Sequence, residues 1–524
     1  MAFVLIGFMG AGKSTAAREL AGALGGEALD SDALLAERLG HPLAREFELH
    51  GEQAFRAVEE RLVCELLEGA PAEAVIALGG GAVLSERVRA ELGAHVAVLV
   101  DVDPLVAWER VSAADEGAGE RPLARERDAF MALYEGRREL YERLADVILV
   151  GVPAGGAGRT LPALRTLAWA PPGTRMLWGS SASGEYPVLV GRGLLPLRGE
   201  AGLPARVWPL ERERSRAVCV SDATVMAVHG GRVGEVAKTI VLEPGEAHKT
   251  LASAERVWSE MADAGITRAD HVVALGGGVV GDLAGFCAAT YQRGLPIVHV
   301  PTTLVAQVDS AYGGKTGVDL PQAKNYVGAY HQPAGVLVDP DTLATLPASE
   351  LAAGWVEVLK TALIAGGWLW REVAAGAAVD ERVILACART KLAVVAADER
   401  DGGARQVLNL GHTVGHAIET ATGYGRYRHG EAVGLGLLAA LRLSGQVQLR
   451  EQVRELMLAR GLPVAFDDDF DEGSLDAILQ AMAKDKKRVG ETVPFVLVRA
   501  PGDVEFGCAI ASEEVRAAVA ELAP

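Results

Sequence analysis

Cysteine, basic residues and long apolar runs are all scarce in this chain of 524 residues. The five cysteines lie far apart and form no C-x-x-C pair, which excludes a disulfide framework and favours a reducing compartment. Acidic residues outnumber basic ones and give a formal net charge of −18, which argues against nucleic acid or an anionic membrane as a partner. No apolar stretch reaches the roughly 18 residues that cross a bilayer. We therefore expect a cytoplasmic protein without a signal peptide.

The length and the composition predict several domains. Half of the residues are hydrophobic, as in globular proteins, and 524 residues exceed what one core usually holds. Apolar runs at 3–6, 74–78, 96–100 and 147–150 alternate with helical patterns, which predicts an α/β fold with a parallel sheet. The predicted divisions are an α/β domain over 1–155, a linker over 156–184, a second α/β half over 185–345 and a mainly helical half over 346–524.

The segment Gly7 to Thr15 is the strongest single motif. It follows the apolar run 3–6 and precedes a helical pattern, which is the strand–turn–helix context of a phosphate-binding loop. Backbone N–H groups would face the phosphates, Lys13 would reach the outer phosphates, and Ser14 would hold Mg²⁺. The residues expected to bind ATP here are Gly10, Ala11, Gly12, Lys13, Ser14 and Thr15.

Two further segments add polar groups to this first candidate site. Asp30-Ser31-Asp32 ends the second strand pattern, so that Asp30 could face Mg²⁺ through water and Asp32 a substrate hydroxyl. The alternative is that one of these aspartates caps a helix. Gly79-Gly80-Gly81 follows a strand, where a substrate can lie against the backbone. Taken singly, the arginines of this region are typical of solvated surface residues.

Together, these segments resemble shikimate kinases over about residues 1–150. The resemblance rests on the phosphate-binding loop and on the order and spacing of Asp30 to Asp32, Phe55-Arg56, Gly79 to Gly81, Arg121-Pro122-Leu123 and Arg137 with Tyr141. It implies that Asp32 orients the 3-hydroxyl of shikimate, while Arg56 and Arg137 pair with its carboxylate. It also implies that Lys13 and Arg121, the latter in a lid over 112–128, contact ATP and stabilise the transferring phosphoryl group. The implied shikimate contacts are Asp32, Arg56, Gly79, Gly80, Gly81 and Arg137.

Three features after residue 240 carry a second set of chemical groups. Gly276 to Asp282 has the G-x-G-x-x-G spacing after a strand, which alone is a weak dinucleotide signal. His412 and His416 would share a helix face, with His429 shortly after them. The segment Glu357 to Lys360 places a carboxylate one helical turn from an amine. Such residues suit Zn²⁺ or a similar ion, and the chemistry alone favours both His412 and His416 as ligands. The alternative is that the histidines are hydrogen-bonded core residues.

The segment Gly313 to Thr316 invites comparison with a second phosphate-binding loop. Asp309 stands where that pattern requires glycine, so we reject this interpretation. The cationic side chains of this half could instead form a pocket for a phosphorylated acid, and they include Arg293, Lys315, Lys324, Lys360, Lys391 and Arg405.

Residues from about 185 to 520 resemble 3-dehydroquinate synthases nearly end to end. The matching segments include Pro244 to Lys249, Pro301 to Gly317, Glu357 to Lys360, Leu408 to Glu419 and His429 to Glu431. The resemblance implies that Glu357, His412 and His429 bind Zn²⁺ or Co²⁺. His416 would then serve the substrate phosphate and proton transfer, against the interpretation from chemistry alone.

The same resemblance implies two further sets of contacts. Those to NAD are Asp222, Glu246, Lys249, Gly277, Gly278, Val279, Val280, Gly281, Asp282, Thr302, Thr303, Lys315, Lys324, Thr342 and Thr345. Those to the substrate are Arg293, Asp309, Lys315, Asn325, Lys360, Lys391, Arg405, Asn409, His416 and Lys486. Arg293 would come from a neighbouring subunit, and Lys487 is an alternative to Lys486.

We therefore predict a two-part enzyme of the shikimate pathway, a shikimate kinase followed by a 3-dehydroquinate synthase. It would use ATP with Mg²⁺, NAD⁺ and one Zn²⁺ or Co²⁺ on small-molecule substrates (shikimate and 3-deoxy-D-arabino-heptulosonate 7-phosphate), and its synthase part would form a homodimer. The expected catalytic residues are Lys13, Asp32, Arg121, Lys315, Lys360 and His416. Two alternatives stay open. The first domain could bind nucleotide as a regulatory module, and the second half could be a related sugar-phosphate cyclase or a polyol dehydrogenase.

Overall fold

A computed structural model describes residues 1–115, 126–195, 208–210, 215–321, 323–483 and 494–524. These residues form two compact units, the first mainly Met1–Ser180 and the second mainly Pro209–Pro524. Arg121, most of the expected lid, Lys486 and Lys487 lie outside the described residues. Within the described ranges, no helix is both long and apolar enough to cross a membrane.

The first unit is built on a parallel sheet. Its strand order is β2-β3-β1-β4-β5-β6, and each neighbouring pair runs parallel. The strands are β1 (Phe3–Ile6), β2 (Ala28–Asp30), β3 (Val75–Ala77), β4 (Val96–Val100), β5 (Val147–Val150) and β6 (Arg175–Ser181). All residues of β1, β3 and β5 are buried, which explains why their sequences are continuously apolar rather than alternating.

Helices connect these strands. They are α1 (Lys13–Ala23), α2 (Ser31–Leu39), α3 (Leu43–Glu68), α4 (Glu86–Leu92), α5 (Pro104–Asp115), α6 (Arg127–Leu144) and α7 (Leu161–Thr166). A left-handed Gly51, with φ of 77°, interrupts α3. The segment 156–184, predicted as a linker, instead holds α7 and β6. Its residues Met176, Leu177 and Trp178 are buried, and β6 pairs with β5, so the Gly- and Pro-rich composition around β6 hid a core strand.

The second unit begins as another parallel α/β layer. Its strands are β7 (Gly184–Val190, of which Pro187–Leu189 belong to the first unit), β8 (Ala217–Asp222), β9 (Lys238–Leu242), β10 (His271–Gly276), β11 (Ile297–Pro301) and β14 (Gly335–Val338). Five of them pair in parallel in the order β14-β11-β10-β8-β9. The helices of this layer are α8 (Ala223–His229), α9 (Leu251–Asp263) and α10 (Gly278–Thr290). One antiparallel hairpin follows, β12 (Lys315–Leu320) with β13 (Ala323–Tyr330).

The remainder is mainly helical, as predicted. Its helices are α11 (Ala348–Ala365), α12 (Gly367–Ala374), α13 (Glu381–Ala397), α14 (His412–Ala421), α15 (His429–Leu443), α16 (Val447–Leu458), α17 (Glu472–Ala483) and α18 (Ser512–Ala520). An antiparallel hairpin, β15 (Pro494–Ala500) with β16 (Asp503–Ala509), lies among them. Every residue from Ala353 to Ile364 of α11 is buried, so this helix forms the centre of the helical part.

Candidate functional site

The phosphate-binding loop of the first unit links β1 to α1. Gly12 is the N-cap residue of α1 in a left-handed conformation, with φ of 94°, and Lys13, Ser14 and Thr15 form the first turn. Gly10 also has a positive φ, and a Cβ there would lie 2.5 Å from the carbonyl oxygen of Ala107. The Nζ atom of Lys13 donates to Phe8 O at 3.0 Å, which keeps the ammonium at the loop. The loop thus presents backbone N–H groups and a cation at a helix N-terminus, as phosphate binding requires.

The glycines Gly79 to Gly81 form the point on which the other polar groups of this unit converge. A Cβ on Gly79 would collide with the Asp32 carboxylate, and one on Gly81 would collide with the Arg56 guanidinium. Gly80 lies next to the loop, because its Cβ would be 3.8 Å from Lys13 Nζ. The side chains of Lys13, Asp32 and Arg56 therefore lie around the three glycines. Because glycine has no Cβ atom, the space next to these side chains stays open.

Asp30 has a defined structural role. Its Oδ1 accepts the backbone N–H groups of Asp32 and Ala33 at 3.0 and 3.2 Å, so it is the N-cap of α2. This is the alternative that the sequence left open for this pair, and it orients Asp32 in the first turn of α2. A water-mediated contact of Asp30 with Mg²⁺ stays a prediction.

Arg137 and Tyr141 line the other side of Gly80. The hydroxyl of Tyr141 donates to Gly80 O, and Arg137 is a further hydrogen-bond partner of this tyrosine. Burial raises the pKa of Tyr141 to about 12, so its hydroxyl stays protonated. Arg137 is itself buried on α6, which distinguishes it from a solvated surface arginine.

Glu59 belongs to this site although the sequence reasoning did not single it out. Its Oε2 lies 2.6 Å from Arg56 Nη1, and a Cβ on Gly79 would lie 2.8 Å from its Oε1. Burial raises the pKa of Glu59, and Arg56 partly offsets that effect. The available signal was the i,i+3 spacing of Arg56 and Glu59 on one helix.

The second unit contains a glycine turn between β10 and α10. Gly277 is the N-cap residue of α10, and the backbone N–H of Thr302 donates to Gly276 O at 3.0 Å. A Cβ on Gly277 would lie 2.8 Å from Thr303 Cγ2, and one on Gly276 would lie 2.8 Å from Val280. Strand, turn and helix N-terminus thus form a cradle that side chains would fill, which suits the pyrophosphate of a dinucleotide.

A cluster of charged residues lies beside this turn, and its Lys249 is buried. Lys249 Nζ lies 3.0 Å from Asp282 and 3.1 Å from Glu246, and Lys324 Nζ lies 3.5 Å from the same glutamate. Burial alone would lower the pKa of Lys249, but its acidic partners raise it. Glu246, Lys249, Asp282 and Lys324 therefore form one cluster, as expected if they share a ligand.

The remaining residues expected at NAD have separate local roles. Asp222 caps α8 by accepting the Val225 N–H at 2.9 Å. The hydroxyl of Thr342 donates to Asp339 O at 2.8 Å, and that of Thr345 lies 3.0 Å from His229 Nε2.

Glu357, His412 and His429 come together at three helices of the second unit. Their ligand atoms lie within 4.8 Å of one another. Glu357 Oε1 lies 3.6 Å from His412 Nε2 and 3.4 Å from His429 Nε2. His416 is not part of this group. With Glu419 and His429 it forms a second group, whose ligand atoms also lie within 4.8 Å of one another. His412 and His416, adjacent on α14, thus fall into different groups among the described residues.

The chemistry of this group fits a divalent cation. Glu357 is fully buried, and its Oε1 has no hydrogen-bond partner within the described part of the chain. Burial would raise the pKa of Glu357, but Lys360, His412 and His429 outweigh it and hold that pKa well below its usual range. A buried carboxylate oxygen that faces two imidazole nitrogens without a hydrogen bond is a suitable position for a metal ion.

The outer nitrogens of both histidines are also occupied. His412 Nδ1 lies 3.1 Å from Leu410 O, and His429 Nδ1 lies 3.3 Å from Glu419 Oε2. The Nε2 atom of each histidine faces Glu357. Glu419, to which the sequence reasoning gave no role, also accepts from Lys324 at 2.9 Å. Its position seven residues after His412 on α14 was the available signal.

A cluster of charged residues adjoins this group. Lys360 Nζ lies 2.5 Å from Glu357 and 3.8 Å from Asp309, and Lys391 Nζ lies 2.7 Å from Asp309 Oδ1. Asp309 is on the π-helical turn Ala306–Ser310. The structure therefore joins Glu357, Lys360, Asp309 and Lys391 in one continuous network.

The other residues expected at the substrate are placed less uniformly. Lys315 lies 2.6 Å from Asp401, and Asn325 adopts a left-handed conformation with its N–H donated to Asp319. Arg405 is almost completely buried and donates to Gly313 O at 2.9 Å. Asn409 ends a 3₁₀ turn over Ala404–Asn409 and is half-buried, and Arg293 is exposed in a tight turn.

Comparison with known families agrees with this arrangement. Residues 9–152 match the sequence model described as shikimate kinase, residues 239–353 match 3-dehydroquinate synthase N-terminal, and residues 354–488 match 3-dehydroquinate synthase C-terminal. The chain is 42% identical over 353 residues to the 3-dehydroquinate synthase of Symbiobacterium thermophilum, covering 63% of this chain and 96% of that protein. It is 43% identical over 340 residues to that of Caulobacter vibrioides, covering 61% and 90%.

A solved structure resembles the second unit as well. It is ValA, a 2-epi-5-epi-valiolone synthase from Streptomyces hygroscopicus subsp. jinggangensis, with NAD⁺ and Zn²⁺ bound. The similarity covers 66% of this chain and 99% of ValA, with 28% identity and a TM-score of 0.56.

The folds and sites define an enzyme with a phosphate-binding-loop kinase part and a separate α/β-plus-helical synthase part. The chain belongs to the 3-dehydroquinate synthase family and carries a shikimate kinase domain at residues 9–152. It is therefore a two-part enzyme of the shikimate pathway, as the sequence predicted.

Proposed function

We propose that the first unit transfers the γ-phosphoryl group of ATP, held with Mg²⁺, to the 3-hydroxyl of shikimate. The observation that supports this is the convergence of Asp32 and Arg56 on the glycines next to Lys13. Arg56 and the buried Arg137 would pair with the substrate carboxylate, and Asp32 would orient the hydroxyl. Lys13 would stabilise the negative charge of the transferring group, and Ser14 would hold Mg²⁺.

Shikimate-dependent formation of ADP tests this proposal. We expect Asp32→Ala to abolish it, while Glu135→Ala, which changes an exposed glutamate on α6 outside the expected lid, leaves it unchanged. Binding of ATP by the wild type without any ADP formation would contradict the proposal and favour a regulatory nucleotide-binding module.

The second unit, we propose, converts 3-deoxy-D-arabino-heptulosonate 7-phosphate to 3-dehydroquinate and phosphate. The observation that supports this is the network of Glu357, Lys360, Asp309 and Lys391 beside two histidines. A metal position joined to Lys360 and Lys391 suits a substrate that carries hydroxyl, carboxylate and phosphate groups. The identity to named 3-dehydroquinate synthases, at 42%, favours this substrate over those of related cyclases.

Two cofactors are part of this proposal. The glycine turn with Lys249 and Asp282 would hold NAD⁺, and Glu357, His412 and His429 would hold one Zn²⁺ or Co²⁺. When bound, NAD⁺ supplies a hydride acceptor, and the divalent ion polarises an alcohol oxygen.

The side chains of the chain itself have three tasks. Lys315, Lys391 and Arg405 would bind the anionic groups of the substrate, and Asp309 holds Lys391 in place. His416, whose ring lies 5.2 Å from that of His412 and is only partly buried, would serve the substrate phosphate and proton transfer. Lys360 keeps Glu357 ionised.

Release of phosphate from the heptulosonate phosphate, with trace NAD⁺ and Zn²⁺ or Co²⁺, tests the synthase. We expect stoichiometric phosphate without accumulation of NADH at 340 nm. Net NADH formation would indicate a polyol dehydrogenase, and turnover of another sugar phosphate alone would indicate a related cyclase.

Metal content provides a test that does not depend on turnover. Glu357→Gln should lose the bound ion on dialysis, whereas Glu350→Gln, on the same helix but half exposed and paired with Arg428, should keep it. Equal metal content in both variants would contradict the assignment of Glu357 as a ligand.

We also propose that the chain acts in the cytoplasm as a homodimer through its second unit. The exposed Arg293, held in a left-handed conformation with φ of 70°, would reach the substrate of the partner subunit. Sedimentation of the full-length chain, together with cell fractionation, tests both statements.

A further inference from the structure

Two consecutive glycines precede Lys315, one of the residues that we propose to bind the substrate. Gly313 and Gly314 have φ of 80° and 67°, in the left-handed region that side chains rarely adopt. Such a pair turns the chain sharply between the π-helical turn that carries Asp309 and the strand β12 that begins with Lys315. The direction of Lys315 therefore depends on how these two peptides are held.

Three hydrogen bonds hold the glycine pair. The backbone N–H of Gly313 donates to the hydroxyl oxygen of Tyr186 at 3.2 Å, and Arg405 Nη2 donates to Gly313 O at 2.9 Å. Gly314 O accepts the backbone N–H of His331 at 2.7 Å. Tyr186 thus holds the N–H of Gly313, and Arg405 holds its carbonyl oxygen.

Tyr186 is built into this position. It is on β7 and only 2% exposed, and burial raises its pKa to about 12, so the group whose oxygen accepts the Gly313 N–H is a protonated hydroxyl. The turn that precedes β7 also contacts Glu399, because the Ser183 N–H donates to Glu399 Oε2 at 3.0 Å. The carbonyl of Glu399 in turn accepts from Arg405 Nη1. Residues 183–186 therefore hold Gly313 in two ways, directly through Tyr186 and indirectly through Glu399 and Arg405.

We propose that Tyr186 is a positioning residue of the synthase site, which acts on the substrate through the Gly313 peptide and Lys315. This inference rests on the proposed function of Lys315 as a substrate contact. Tyr186 lies outside the residues 239–488 that the synthase family models match, and no contact between its hydroxyl and the substrate is required. Loss of the hydroxyl leaves the Gly313 N–H without this acceptor, so the position of Lys315 becomes less well defined. Substrate binding is then weaker, although no reacting group is removed.

The test compares Tyr186→Phe with the wild type in the full-length enzyme. The KM for the heptulosonate phosphate should rise roughly tenfold, the effect of losing about one hydrogen bond. The kcat and the shikimate kinase rate of the same chain should stay within twofold. In a Lys315→Ala background, Tyr186→Phe should add nothing further to KM, because the effect passes through Lys315. Independent, additive effects would overturn the proposal.

Tyr427→Phe is the matched control. Its buried hydroxyl also accepts a backbone N–H at 3.2 Å, that of Asp467, in the same unit. We expect its KM to equal that of the wild type. An equal rise in both variants would mean general loosening of the unit and would overturn the specific role of Tyr186.

Hydrogen–deuterium exchange separates this inference from the proposed function. In Tyr186→Phe the segment 308–320 should exchange faster, and in Tyr427→Phe it should not. Unchanged exchange at this segment overturns the inference, even if the enzyme is a synthase. Absence of phosphate release from the wild type would instead overturn the proposed function, while the exchange still decides whether Tyr186 holds Gly313.

Discussion

Lys391 contacts Asp309 twice, since its Nζ lies 2.7 Å from Oδ1 and 2.7 Å from the backbone carbonyl oxygen of the same residue. Burial opposes ionisation of Asp309, but Lys360 and Lys391 outweigh it and bring the pKa of Asp309 to about 2. The carboxylate is thus the shared counter-charge of the buried Lys360 and the partly buried Lys391.

Removal of that charge should cost stability as well as activity. We expect Asp309→Asn to lower the free energy of unfolding by roughly 3 kcal/mol, because Lys391 loses its carboxylate partner and Lys360 keeps only Glu357. Phosphate release should fall by at least about a hundredfold, the loss expected when substrate-binding groups are misplaced. Urea unfolding of the full-length chain and the phosphate assay measure the two effects.

The control for this change is Asp341→Asn, which removes one partner of the solvent-exposed ion pair with Arg192. It should cost less than about 1 kcal/mol, as exposed pairs do. If both variants lost the same stability, Asp309 would not be the counter-charge that the structure indicates.

Asp270 predicts a pH dependence of the second unit. It accepts from Arg216 and from the Thr267 N–H just before β10. Burial would raise its pKa, but the Arg216 hydrogen bond and the other donors lower it from 3.8 to about 2. Because the folded-state pKa is depressed, this stabilisation of about 2 kcal/mol is complete above pH 4 and is lost as the pH falls towards 2.

Unfolding measurements at pH 6 and pH 3 check this effect. The difference in unfolding free energy between the wild type and Asp270→Asn should shrink by about half at pH 3. A difference that does not change between the two pH values would show that Asp270 has an ordinary pKa in the folded protein.

The glycines of the kinase site allow a steric test. A methyl group at Gly81 would meet the Arg56 guanidinium, so Gly81→Ala should raise the KM for shikimate at least about tenfold, by the loss of one charged contact. The KM for ATP should change little. Gly136→Ala is the control, because its Cβ would meet nothing within 4 Å although it precedes Arg137. Steady-state kinetics with both substrates decide the outcome.

Mixed dimers test the proposed exchange of Arg293. Arg293→Ala and Lys391→Ala should each lack synthase activity as pure proteins. If Arg293 serves the partner subunit, co-expressed mixed dimers contain one site with both residues intact and regain activity. No recovery, with mixed dimers demonstrated by affinity tags, would place Arg293 in the site of its own subunit.

Much of the fold follows from local sequence patterns. The apolar runs at 3–6, 96–100 and 147–150 coincide with β1, β4 and β5, since strands buried on both faces are continuously apolar. The phosphate-binding loop lies where its glycines and lysine require. Helix α11 (Ala348–Ala365) lies in the half that the sequence predicts to be mainly helical.

What the local patterns missed depends on partners distant in sequence. Strand β6 lies within the predicted linker and becomes a strand by pairing with β5. The grouping of Glu357 with His412 and His429 joins residues 55 or more positions apart, whereas helical periodicity alone joined His412 to His416. Glu59 and Glu419 gained their roles only once Arg56 and His429 were placed beside them.

The π-helical turn Ala306–Ser310 makes the synthase site sensitive to chain length. The Ala311 N–H donates to Ala306 O, five residues earlier, at 3.3 Å, so the turn holds one residue more than an α-helix would. A helix advances about 100° per residue, and removal of a single residue here would swing Asp309 away from Lys360 and Lys391 by that angle. If this segment is transferred to another scaffold, keeping its number of residues therefore matters more than keeping its composition.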